Sequence, residues 1–271
     1  MISKSINDIL NKIKTLNPLV HCITNPISIN QCANSILCVG AKPIMAEHPD
    51  EVEEITNTAK SLMLNLGNIT DTRMKSMEIS LQTANEKNIP SVIDLVGIAC
   101  SDLRRDFAYG LLKKYFVTVI KGNYSEIYAL INPDYKSLGV DSDKKLDCEK
   151  LTECAVKLAK EYNCIIFATG KTDIITDGRK IIYINNGTPQ LASVTGTGCM
   201  LGALCASFLS VEISIYSVAC ACAVLGIAGE LSATENKNGT FTVNLMDNLS
   251  SMSDYNIEEY LKAEEKEIEN I

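Results

Sequence analysis

The chain has 271 residues, a formal net charge of −8, 46% hydrophobic and 21% charged residues. That length suits one large α/β domain with a substantial core, and the balance is ordinary for a globular enzyme. The acidic surplus, with no lysine or arginine cluster beyond a pair, argues against a nucleic-acid surface. Any phosphate must then be met locally, by backbone amides, a metal ion and one or two cations.

In chain order, Ile6, Ile9, Leu10 and Ile13 repeat at helical spacing and predict an N-terminal helix. Strand-like runs follow at Leu19–Thr24, Ser61–Leu66, Ser91–Leu95, Val117–Ile120 and Cys164–Ala168. Helical stretches near 28–39, 50–59, 70–88, 102–114, 123–131 and 147–161 separate them. Asp71 is a helix start and Asn88-Ile89-Pro90 a stop. Continuous apolar strands alternating with helices predict a mostly parallel sheet covered on both faces. Asp177-Gly178, between Asp173–Thr176 and Lys180–Asn185, predicts a tight hairpin and antiparallel edge strands. From Gly196 to Ile268 the pattern is helical, and the acidic stretch from Glu258 to Asn270 reads as a solvated helix face or frayed end. No linker, repeat or low-complexity stretch divides residues 1–271, which read as a single domain.

Eleven cysteines show no C-x-x-C spacing, the nearest pair being Cys220 and Cys222, and the only histidines are His21 and His48. A zinc site is not expected. The odd cysteine count, without a secretory leader pattern, points to a reducing, cytoplasmic compartment. The apolar stretches after 199 and 214 are interrupted by Ser207, Ser210, Glu212 and Glu230. Neither is expected to reach the roughly 18–20 residues of a membrane span.

Val194-Thr195-Gly196-Thr197-Gly198-Cys199-Met200 opens directly onto an apolar segment. Glycines let the backbone approach a ligand closely, and the loop sits at the positive end of the helix that follows, where unpaired N–H groups favour an anion. Cys199 falls in that helix's first turn, either as an ionisable group facing the loop or as the cap of a core helix. Ligands in such sheets bind beyond the carboxyl ends of the strands. Those ends carry Thr24-Asn25, Asn65-Leu66-Gly67, Asp94, Lys121-Gly122-Asn123 and Thr169-Gly170. Asp94 and Glu126 read as acids of a water-mediated Mg²⁺ site or, alternatively, Asp94 as a cap and Glu126 as a helix first-turn residue that complements the dipole. Lys121 reads as a screen for phosphate charge or as a solvated loop lysine.

His21-Cys-Ile-Thr-Asn25-Pro, Asn34, Pro43-Ile-Met45-Ala, Glu51-Val-Glu-Glu54, Leu64-Asn65-Leu-Gly67, Gly122-Asn-x-x-Glu126 and the run from Val194 to Met200 resemble, in order, hydroxyethylthiazole kinase. The resemblance spans about residue 19 to 248. It implies a ribokinase-like fold and transfer of the ATP γ-phosphate to the primary alcohol of 4-methyl-5-(2-hydroxyethyl)thiazole, a salvage step in thiamine synthesis. It implies Mg²⁺ as cofactor, and a homotrimer with pockets at the subunit interfaces. Met45 and Gly196 match thiazole-binding positions, with Asn25 a neighbour; Lys121 and Thr169 match ATP-binding positions; Asp94 and Glu126 match magnesium-linked acids; Cys199 matches the residue facing the reacting hydroxyl. Two positions depart from the family pattern. Lys121 stands where Arg is usual, and Lys lacks the bidentate phosphate contact. Leu95 stands where Pro is usual. A hydroxymethylpyrimidine or pyridoxal kinase and a hydro-lyase of the same fold would each call for an acid at position 199. A non-catalytic thiazole or nucleotide sensor would not need Asp94, Glu126 and the glycine loop together.

Overall fold

The structure, a computed structural model, describes residues 2–137 and 147–268. A nine-stranded sheet runs in the order β2-β1-β3-β4-β5-β6-β7-β8-β9. Strands β1 (Leu19–Ile23), β2 (Lys42–Ile44), β3 (Ser61–Asn65), β4 (Ser91–Asp94), β5 (Val119–Asn123) and β6 (Ile165–Thr169) are parallel. Strands β7 (Asp173–Thr176), β8 (Lys180–Ile184) and β9 (Ala263–Glu267) extend them in antiparallel pairing. The hairpin between β7 and β8 forms where Asp177-Gly178 predicts it, and Gly178 takes a φ of 83°.

Helices cover both faces because the strands are apolar on both. On one face lie α1 (Ile2–Leu16), α2 (Ile29–Cys38), α8 (Thr197–Leu209), α9 (Ile215–Ser232) and α10 (Asn238–Ser250), packed on Met63, Val92, Val119 and Phe167. On the other lie α3 (Val52–Thr58), α4 (Asp71–Lys87), α5 (Asp102–Lys114), α6 (Tyr124–Ile131) and α7 (Cys148–Tyr162), packed on Leu62, Leu64, Ile93, Ile120 and Ile166. Adjacent residues of one strand thus feed opposite cores. The helix starts follow local chemistry: the Thr70 hydroxyl accepts from Arg73 N at 3.2 Å, and Asn88 closes α4 in the left-handed region. The short helix α11 (Ile257–Tyr260) buries Ile257 against the first core.

Three expectations need correction, and one strand is unexpected. That strand, β2, has three residues and no alternation for a pattern to catch. β5 starts later than the run Val117–Ile120 and reaches Asn123, so Lys121 is a strand residue rather than a loop residue. The acidic C-terminal stretch is not helical throughout. Ala263–Glu267 is an edge strand, and Lys180 Nζ meets Glu265 at 3.0 Å and Glu267 at 3.3 Å. Finally, α9 does reach 18 residues, with mean hydropathy 1.7, which is long and apolar enough for a span by length and composition. Its side chains are instead buried in the core against α1, α8 and α10. Residues 269 and 270 of the acidic stretch lie outside the described residues.

Candidate active site

The ends of β1, β3, β4, β5 and β6 converge below the N-terminus of α8. Gly196 is the residue before the helix, with φ +95°, a conformation L side chains rarely adopt. A Cβ there would lie 3.2 Å from Ser28 Cβ. The helical ladder opens with Met200 N donating to Gly196 O at 2.8 Å, so the amides of Thr197, Gly198 and Cys199 precede it. Thr197 turns inward, its hydroxyl donating to Leu191 O at 2.8 Å, whereas Thr195 and Gly198 are exposed. A half-buried thiol, Cys199, sits at the edge of this loop.

Beneath the loop lies a continuous polar network. Asn25 Nδ2 donates to Asn65 Oδ1 at 3.0 Å and to Cys199 Sγ at 3.3 Å. Asn65 Nδ2 donates to Asp94 Oδ2 at 3.1 Å and to Cys199 Sγ at 3.4 Å. Lys121 Nζ pairs with Asp94 Oδ2 at 3.0 Å. The sheet register makes these contacts: Asn65 lies beside Asp94, and Asp94 beside Lys121, in adjacent strands. Gly67 gives the network room, since a Cβ there would stand 2.8 Å from Asn65 Oδ1 and 3.0 Å from Asn25 Nδ2. Asn65, which the sequence places at a strand end and in the Leu64-Asn65-Leu-Gly67 motif without a role of its own, is the hub.

Burial shapes the electrostatics. Asp94 and Lys121 are 1% and 3% exposed. Burial works against the Lys121 ammonium, but Asp94, aided by Cys199 and Glu126, outweighs it and holds the amine above the ordinary lysine range. For Asp94 burial prevails over the pull of Lys121 and Asn65, and the carboxyl is raised. Glu126 opens α6 in a capping box. Asn123 N donates to its Oε2 at 2.7 Å while Asn123 Oδ1 accepts from Glu126 N at 3.0 Å. Its Oε1 accepts from Gly97 N at 2.7 Å. Burial and the nearby Asp94 push Glu126 up to about 7, against the pull of those two backbone donors. Glu126 is thus a first-turn residue of α6 within a capping box, and Lys121 is no solvated lysine.

The remaining positions stand around this floor. Thr169 ends β6 beside Asn123, its hydroxyl donating to Gly122 O at 3.4 Å. Next to it, Gly170 N donates to Asp173 Oδ1 at 2.9 Å, and Cys222 Sγ donates to Asp173 Oδ2 at 2.8 Å. Burial raises Asp173 to about 6. Met45 follows β2 at the sheet edge and is half-buried against the first core. The neighbouring Ala46 carbonyl is held at 3.0 Å by His21 Nε2, whose ring burial keeps below its ordinary range. A cleft of about 650 Å³, lined by Gln190, Ser193, Thr234 and Asn238 among others, flanks the segment that leads into the glycine loop. No group of three or more His, Cys, Asp or Glu with metal-ligating geometry occurs among the described residues.

A family model described as the hydroxyethylthiazole kinase family matches residues 10–255. The chain belongs to that family. It is 48% identical over 251 residues to "Hydroxyethylthiazole kinase 2" of Clostridium botulinum (strain Hall), covering 91% of this chain and 95% of the relative. The solved hydroxyethylthiazole kinase structure from Pyrococcus horikoshii OT3 superposes with a TM-score of 0.88 at 32% identity, covering 97% of this chain and all of that one. A ribokinase-like superfamily protein from Enterococcus faecalis has a TM-score of 0.63 at 15% identity over 92% of this chain and 94% of its own. At that identity it shows the fold alone, and the fold is ribokinase-like. The hydroxyethylthiazole kinase family is one of phosphotransferases with an alcohol acceptor.

Proposed function

We propose that this protein transfers the γ-phosphoryl group of ATP to the primary alcohol of 4-methyl-5-(2-hydroxyethyl)thiazole, in thiamine salvage. The observation that carries the reading is the position of Cys199, in the first turn of α8 ahead of its first helical hydrogen bond, with Sγ within hydrogen-bond reach of the network ending in Asp94 and Lys121. Phosphoryl transfer runs through a loose transition state, so it asks for positioning and charge neutralisation more than for a strong base. The amides of Thr197, Gly198 and Cys199 suit the migrating group, and Cys199 suits the proton of the alcohol. Gly196 and Met45 are the proposed thiazole contacts. Thr169 and Lys121 are the proposed nucleotide contacts, with Lys121 acting through its charge because its ammonium already pairs with Asp94. Asn25 is proposed as a wall of the thiazole pocket, since its amide is engaged with Asn65 and Cys199 and its oxygen with the amides of Ile27 and Ser28.

Mg²⁺ fits this site through water. Both oxygens of Glu126 accept backbone N–H groups, and Asp94 Oδ2 is taken by Lys121 and Asn65. Mg²⁺ keeps several waters and leans on few protein oxygens, so Asp94 and Glu126 would hold its hydration shell. When bound, the ion neutralises charge on the nucleotide phosphates. The resemblance also supports a homotrimer with interfacial pockets. Eleven free cysteines support a reducing cytoplasmic setting. A coupled ADP assay tests the activity: ADP release should require both the thiazole alcohol and Mg²⁺. Release with pyridoxal or hydroxymethylpyrimidine but not with the thiazole would replace this reading. Light scattering at the mass of three 29.6 kDa chains tests the assembly.

A further inference from the structure

Two carboxamides aim their N–H groups at one sulfur. Asn25 Oδ1 accepts from Ile27 N and Ser28 N, each at 3.1 Å, and Asn65 Oδ1 accepts from Gly67 N at 2.9 Å and from Asn25 Nδ2 at 3.0 Å. Backbone N–H groups can only donate, so both oxygens are fixed where they are and neither amide can flip. Each Nδ2 then has two hydrogens and two acceptors. Those of Asn25 go to Asn65 Oδ1 and Cys199 Sγ, and those of Asn65 to Asp94 Oδ2 and Cys199 Sγ. Both side chains are buried, at 5% and 0% exposure, and their geometry is therefore set by the fold. Among the described residues, the side-chain hydrogen bonds to the sulfur both come from amide donors.

We propose that Asn65, together with Asn25, is a positioning residue for Cys199: the paired amides hold the sulfur from below, so that it exchanges a proton only on the side open to the glycine loop. This rests on the reading that Cys199 faces the reacting alcohol. In that reaction the alcohol oxygen forms its bond to the γ-phosphorus. The bond from that phosphorus to the bridging oxygen breaks, its electron pair leaving with ADP, and the alcohol proton passes to the thiolate sulfur. Two N–H donors orient the sulfur that accepts this proton. Asn65 also joins the sulfur to the Asp94–Lys121 pair, so one side chain sets the orientation of both halves of the site.

Alkylation by iodoacetamide, followed residue by residue by peptide mass spectrometry in the full-length protein, reads the effect without any substrate. Cys100 is exposed and serves as the internal reference. Asn65→Asp keeps the shape and the acceptor for Gly67 N, but its carboxyl carries at most one proton, shared with Asp94 Oδ2, so the donor facing Sγ is lost. The ratio of Cys199 to Cys100 alkylation rates should fall roughly tenfold, the size expected for losing a hydrogen bond to the reacting sulfur. In steady state kcat should fall while KM for ATP holds. An unchanged ratio in the folded variant overturns the proposal. Cys199→Ala gives a second readout that leaves both asparagines in place. The side-chain amide signals of Asn25 and Asn65 in ¹⁵N-edited NMR spectra should shift when the sulfur is removed, and signals that stay put overturn the proposal equally. Absence of thiazole-dependent ADP release in the native protein would instead strike at the proposed function, while the alkylation ratio and the amide signals still decide the role of Asn65.

Discussion

The floor of the site and its rim are built on opposite terms. Asp94, Lys121 and Glu126 on the floor are each under 5% exposed, and each is held by protein partners. On the rim, Gly198 is exposed, Gly196 and Cys199 are half-buried, and the first amides of α8 precede any helical bond. A floor that is satisfied internally fixes charge and geometry before a ligand arrives, while the proposed binding falls to the rim, whose first amides precede the helical ladder. Changes to the floor should therefore act first on stability and changes to the rim first on turnover.

The largest break in that division is expected from Asp94→Ala, which strands the Lys121 ammonium in the interior. Removing one partner of a buried pair costs about 3–5 kcal/mol, and urea unfolding should show it. A loss no larger than that of a surface substitution would mean the pair does not hold the floor.

Next comes a pH effect. The folded state favours the neutral form of Glu126, raised to about 7, while the unfolded chain ionises near the ordinary 4.5. The stability from this group is thus complete below about 4.5 and lost as pH rises through about 7, in total about 3 kcal/mol. Asp173, raised to about 6, acts with the same sign. Metal-free protein melted across this range should lose stability with rising pH, and Glu126→Gln should flatten the slope. An equal slope in the variant would assign it elsewhere.

On the rim, Cys199→Ala should lower turnover by about a hundredfold with little change in KM for ATP or in Tm, the scale of losing a positioned proton acceptor. Full activity in that variant would remove the thiol from the mechanism. Gly196→Ala should cost about 1–2 kcal/mol, because an L side chain must adopt a positive φ against Ser28. Far from both regions, Glu265→Gln on β9 should cost about 1 kcal/mol or less, a partly exposed pair with Lys180 being worth little.

Much of the frame was legible because it rests on local pattern. The apolar runs at Ser61 and Ser91 are strands, the hairpin sits on Asp177-Gly178, and the glycine loop opens a buried helix. Three things were not. β9 spells Ala-Glu-Glu-Lys-Glu and carries no apolar alternation; its strand is held by the β8 ladder and by Lys180, neither of which is local. Lys121 reads as a loop residue because its flanking Gly122-Asn123 looks like a turn, yet β5 continues through it between β4 and β6. Asn65 has no distinguishing chemistry of its own. Its role follows from the adjacency of β3 and β4 and the passage of α8 above them, which strand order decides and spacing does not.

The most direct measurement is a crystal structure with a non-hydrolysable ATP analogue, Mg²⁺ and hydroxyethylthiazole bound together. The terminal phosphate is expected against the amides of Thr197, Gly198 and Cys199, with the alcohol oxygen in hydrogen-bond reach of Cys199 Sγ. Reacting groups that meet elsewhere, leaving residues 196–199 untouched, would contradict that arrangement.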